Sequence, residues 1–282
     1  MSGVAHHPPR AIAKDPPTPS AKDTAAGEAM FARYAYPPNV LGYCGSGDGH
    51  ELLEFADGHP GPDASPGPPV DIGQRARTFD GAWPYLEHLA AVCGADSAME
   101  ERVVEAYWVG NELLESGGDE AFASVVRTAF GGERGTDLEA LEASPRPVAH
   151  HSFHVFAVYP WVGILRRTGA QQALEVLDRC RIRWGRVDAV DGAEVRLQSR
   201  PLTWDGSLIG LAAPRSECAR LSVDGRSLTT AVQPGDWIAL HWDWVCDRLA
   251  PTQLAALRRF TARQLAITNR AVSIRPPAAF TE

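Results

Sequence analysis

At Cys180 the chain changes its hydrophobic grammar, and that change sets the architecture it can adopt. Upstream, Phe79, Trp83, Leu86 and Ala90 recur three and four apart, and Val103, Val104, Tyr107, Trp108 and Leu114 do much the same. Such spacing gives each of several helices one apolar face. Downstream, residues 182–190, 194–198, 218–223 and 237–244 are short β-rich runs. Asp191-Gly192, Asp205-Gly206 and Asp224-Gly225 fall between them, and Asp-Gly favours tight hairpins because both turn positions tolerate positive φ. After Pro251, Leu254, Leu257, Phe260 and Leu265 return to near-helical spacing. The expected fold class is therefore α+β: an N-terminal all-α domain, a small β-barrel and a closing C-terminal helix.

Breakers place the boundaries. Residues 1–24 are rich in Pro, Ala, Lys and Ser and read as a disordered leader without the apolar segment of a secretory signal. A helix over 25–36 is expected to stop at Pro37-Pro38, since the residue before a proline is pushed out of the α region. Residues 41–50 form a Gly-punctuated loop carrying Tyr43, Cys44 and His50, placed to close over a site. The Pro/Gly-rich stretch 58–71 reads as a loop, and Gly117-Gly118 and Gly131-Gly132 end two further helices. Residues 150–167 read as a mostly apolar buried helix kinked at Pro160, followed by a short helix to about 179. The helical domain thus spans 25–179, the barrel with its helix 180–268, and a tail 269–282.

The 282 residues are 44% hydrophobic, enough to bury a core, and their net charge is −8. That charge argues against a nucleic-acid or anionic-membrane binder, and no apolar run nears the roughly 20 residues a bilayer requires. Five cysteines, widely spaced and without a C-x-x-C pair, fit a reduced cytoplasmic protein better than a disulfide framework. The same spacing excludes a standard structural zinc site. Phosphate-binding glycine motifs, G-x-S-x-G and H-E-x-x-H are all absent from the sequence, which leaves nucleotide-dependent and standard triad chemistry unsupported.

Two short motifs carry chemistry. Cys180-Arg-Ile-Arg-Trp-Gly185 runs into the Asp191-Gly192 turn, and Gly235-Asp-Trp-Ile-Ala-Leu-His241 follows. In order and spacing the pair resembles the HypC/HupF-type [NiFe]-hydrogenase maturation chaperones. Trp184 stands where that family has proline, and Asp243 where it has glycine. The resemblance covers about 180–260 and implies an OB-like barrel with a trailing helix. It further implies iron held by Cys180 and His241, as an ion able to carry cyanide and carbonyl ligands. The implied partners are the hydrogenase maturation scaffold protein or the hydrogenase large-subunit precursor, and the implied role is that of a chaperone without turnover.

Read from the residues alone, a thiolate and an imidazole suit iron that must keep several positions open. In an extended strand Arg181 and Arg183 would face away from Cys180, their field favouring its thiolate. Asp243 would orient His241, with Gly185 supporting the strand. The plainer alternative makes Cys180 a small buried hydrophobe, His241 a core histidine and the arginines a solvated face. A second candidate centre lies in the helical half. His150 and His154 are four apart, and Glu105 and Glu112 seven apart, so each pair would share a helix face and together they would form an iron enzyme's site.

Overall fold

The computed structural model describes residues 21–47, 49–58, 70–116, 119–131, 147–229 and 231–273. Most of the proposed leader, most of the 58–71 loop and the end of the tail lie outside these residues. The first helix, α1 (Ala21–Val40), reaches back into the expected leader and runs on through Pro37 and Pro38. It continues past the expected stop because its far end is buried: Tyr34, Ala35 and Tyr36 sit in the core, and burial there outweighs the lost N–H groups. α2 (His50–Asp57), α3 (Ile72–Ala76), α4 (Trp83–Cys93), α5 (Glu101–Trp108), α6 (Leu113–Ser116) and α7 (Asp119–Phe130) follow.

The segment from 150 is not one kinked helix. α8 (His151–Phe153) passes straight into a π-helical turn, His154–Val158, closed by a Tyr159 N–H bond to the His154 carbonyl. Tyr159 then turns extended and α9 (Trp161–Thr168) begins anew beyond Pro160. α10 (Gln171–Cys180) leads into the β region, and α11 (Pro251–Ser273) closes the described chain. The last helix therefore runs into the expected tail, whose residues 269–273 are helical.

The strands are β1 (Arg183–Asp191), β2 (Glu194–Ser199), β3 (Leu202–Trp204), β4 (Ile209–Leu211), β5 (Arg215–Arg220), β6 (Ser222–Val223), β7 (Arg226–Ser227), β8 (Trp237–His241) and β9 (Trp244–Arg248). β1, β2, β5, β9 and β8 close in that order into a barrel, its seam a single parallel pair, Arg220 against Trp244. Ala219 is the one buried residue of β5, which leaves that seam short. β3–β4 and β6–β7 stand apart as separate two-stranded sheets.

The turns follow the sequence. Asp224 and Gly225 both take positive φ between β6 and β7, and Gly192 does so between β1 and β2. Gly185 supports close packing: a Cβ there would lie 2.1 Å from Leu197 Cδ1. The largest buried cluster runs through both halves of the chain. Phe31, Phe79, Leu86, Val104 and Trp108 from the helices join Ile182, Ala239, Cys246, Leu257 and Phe260. The junction of the helical and β parts is thus itself core. Among the described residues, no helix is long and apolar enough to cross a membrane.

Candidate metal centre

Three side chains from three elements meet inside this junction. Cys180 is the last residue of α10, on the buried face shared with Ala173, Val176 and Leu177. It is helical, a correction to the strand expected there. Arg181 then turns extended, and β1 starts at Arg183. His241 ends β8, before a tight turn in which Trp242 takes the left-handed conformation. His151 opens α8. One ligand atom from each of His151, Cys180 and His241 lies within 4.8 Å of the other two, and all three residues are buried. They line a cavity of about 10 Å³, near the lower limit for one water-sized guest.

The neighbours fix which atoms face inward. His241 Nδ1 lies 2.7 Å from the Tyr34 carbonyl. A carbonyl only accepts, so Nδ1 carries the proton and Nε2 carries the lone pair. That carbonyl is free for a reason visible in the sequence. In α1 the Tyr34 carbonyl would take the N–H of residue 38, and residue 38 is proline. His241 Nε2, fully buried, finds no hydrogen bond of normal geometry. Burial, and then the charge of neighbouring His151, hold His241 well below the usual imidazole range, so the ring stays neutral. Replacing Pro38 with alanine returns an N–H that competes for Tyr34. The expected outcome is about tenfold weaker metal binding, the lower end of what disturbing a ligand's outer partner costs, read by metal titration.

His151 adds a bookkeeping argument. The Tyr107 hydroxyl donates to the Gly81 carbonyl at 2.7 Å. His151 Nδ1 is 3.0 Å from that hydroxyl, and Nε2 is 2.9 Å from the Cys180 carbonyl. Burial lowers the His151 pKa to about 4, so the neutral ring has one N–H. Three contacts share two protons, and one contact is always unmet. With a cation on Nε2, the Nδ1 proton goes to Tyr107 and the Tyr107 proton to Gly81, which matches both ring nitrogens and the hydroxyl and leaves only the Cys180 carbonyl without the ring's proton. A bare Nε2 on His241 and a proton deficit around His151 fit a bound metal, which would take Nε2 of each imidazole and the Cys180 sulfur.

The supporting residues act differently from expectation. Burial, and then the charge of Cys44, push the Cys180 thiol well above the ordinary range, so no arginine field holds a thiolate. Arg181 and Arg183 form no solvated face either. Both are buried, Arg181 against Asp178 and the Arg200 carbonyl, Arg183 against Glu217 and the Trp242 carbonyl. Their role is to hold the two ligands at a fixed separation. Arg183 Nη2 reaches the Trp242 carbonyl at 2.6 Å, and the Trp242 N–H donates to the Arg179 carbonyl at 2.7 Å, joining the neighbours of Cys180 to the neighbour of His241. Asp243 is exposed and pairs with Arg179; the Tyr34 carbonyl takes the orienting role expected of it. Gly185 makes no approach to the cavity.

The second candidate centre is not assembled. His150 caps α8, its Nδ1 accepting from the Ser152 N–H at 3.1 Å. His154 begins the π-helical turn and its Nδ1 lies 3.0 Å from the Tyr85 hydroxyl. The four-residue spacing fails because the helix starts after His150 and widens at His154. Glu105 bonds Asn111 and Gln253 and, with Glu112, lines an outer cleft of about 280 Å³ against α11. The missed ligand, His151, lies between the two chosen histidines, and the signal for it was the His150-His151-Ser-Phe-His154 block itself.

Residues 23–275 match the family of unknown function DUF6390. The chain belongs to that family. No curated protein and no solved structure matches it. The family match covers both the helical and the β parts, so the centre at their junction lies wholly within it. It neither supports nor denies the HypC/HupF resemblance of the two motifs.

Proposed function

We propose that this chain binds a soft or borderline transition metal ion, with iron(II) as the first to test, through His151, Cys180 and His241. One observation carries the reading: three ligating atoms from distant elements converge on one small buried cavity, and His241 turns into the group an Nε2 that finds no hydrogen bond of normal geometry. An orphaned buried nitrogen is costly to keep unless something binds it. One thiolate and two imidazoles leave a fourth tetrahedral position open, as sites that handle a metal or its ligands require.

The finer form has iron carrying cyanide and carbonyl groups and passing to a hydrogenase maturation partner. It is supported by the two short motifs alone. Metal analysis and infrared spectroscopy on anaerobically purified protein test both levels. About one iron per chain in the wild type, falling below about a tenth in Cys180→Ala and nearly intact in His150→Ala, is the expected result, since a missing first ligand costs far more than the roughly 10–100-fold of an outer partner. Iron that survives Cys180→Ala removes the proposal. Cyanide and carbonyl stretches bound to that iron are what the finer form requires, and their absence removes it alone.

A further inference from the structure

The three ligands are at most 4% exposed, so a hydrated ion has no direct way to them. Cys44 is partly exposed where the three ligands are not. It sits on the loop after α1, half-buried, beside Tyr43, which is 45% exposed and stacks on Trp242 at 4.4 Å. Its sulfur is 3.0 Å from the Tyr159 hydroxyl, and it lines the same cavity as the triad. His154 lines that cavity too. It is 2% exposed, its Nδ1 is engaged by Tyr85, and its Nε2 has no hydrogen-bond partner. Gly81 makes the room: a Cβ at that position would lie 2.7 Å from His154 Nε2. Tyr159 links the pair, its ring 4.4 Å from that of His154 and its hydroxyl on Cys44.

Resting on the reading of the triad as a metal site, we infer that Cys44 and His154 form a loading port, a second and transient pair of metal ligands through which the ion reaches Cys180. The Cys44 backbone stays in place, since Asn39 Nδ2 donates to its carbonyl at 2.7 Å. With the backbone held, χ1 is the torsion left to move the sulfur, between staggered wells. The transfer balances without a co-reactant. On capture the Cys44 thiol would give its proton to water; on transfer the bonds to Cys44 Sγ and His154 Nε2 would break as those to Cys180 Sγ and the His151 and His241 imidazoles form. The proton leaving the Cys180 thiol would pass to the released Cys44 thiolate. The metal keeps its charge and oxidation state throughout.

Stopped-flow mixing of the full chain with cobalt(II) chloride, followed by the thiolate-to-cobalt charge-transfer band, tests this. Cys44→Ser loads about tenfold more slowly than the wild type, while reaching the same final cobalt content and keeping the same unfolding midpoint. His154→Gln, which leaves both sulfurs in place, slows loading in the same way. Wild-type loading rates in both variants overturn the port and leave the triad standing. A wild type that binds no cobalt at all overturns the triad, and the port falls with it.

Discussion

Metal at a hundred times its dissociation constant raises the thermal midpoint of the wild-type chain by about 5–10 °C. Binding to the native state alone contributes about 2.7 kcal/mol at that ratio, and a chain of this size gains roughly 2–4 °C per kcal/mol. The unfolded chain cannot reproduce the effect, since His151, Cys180 and His241 come from segments that only the fold brings together. Cys180→Ala removes the shift while lowering the metal-free midpoint only slightly, because trimming one buried sulfur costs about 1 kcal/mol. His150→Ala is the contrasting variant. It removes the cap of α8 and its stacking on Phe260, so the metal-free midpoint falls, but the metal-induced shift remains. Differential scanning calorimetry with and without iron(II) or zinc reads both numbers. A shift that persists in Cys180→Ala sinks the assignment of the sulfur.

The centre was half legible in the sequence. Cys180 and His241 were readable because each stands in a short motif at a fixed place in the β-rich part of the sequence, although Cys180 ends a helix where a strand was expected. His151 was not, because selecting histidines by four-residue spacing presumes an α-helix, and here the helix starts one residue late and turns π after three residues. The passage of α1 through Pro37-Pro38 was equally hidden. Local stereochemistry says stop, while burial of Tyr34 to Tyr36 says continue, and tertiary packing wins. That same contradiction of a local rule frees the Tyr34 carbonyl for His241, so the least predictable stretch of the helix fixes the ligand's tautomer. The shortness of the barrel seam was hidden for the opposite reason. The Asp-Gly turns sit where the sequence places them, but how far β5 and β9 pair depends on the apolar surface of β5, and β5 has almost none.

Arg181→Met is expected to destabilise the fold by about 3–5 kcal/mol, the range for breaking a buried ion pair from one side. Arg181 is 1% exposed, and its Nε and Nη2 lie 3.1 and 2.8 Å from Asp178 Oδ1, which also accepts the Leu202 N–H at 2.9 Å. Removing the guanidinium leaves the carboxylate with one backbone donor and no counter-charge, and the Arg200 carbonyl loses its 2.7 Å donor. The double variant Asp178→Asn/Arg181→Met is expected to recover most of the loss. Asparagine keeps an acceptor for Leu202 without a buried charge, and replacing both ions with neutral groups is often close to neutral overall. Urea unfolding of the single and double variants measures the difference. A single variant within about 1 kcal/mol of wild type would show that Asp178 reaches solvent or another cation on its own. The consequence for the centre follows from position. Arg181 directly follows Cys180 and holds the turn out of α10 onto the chain before β3, while Arg183 and the Arg179 carbonyl grip Trp242 beside His241. Arg181→Met therefore loosens the thiol more than the imidazole, and metal binding in the folded fraction weakens even where His151 and His241 remain.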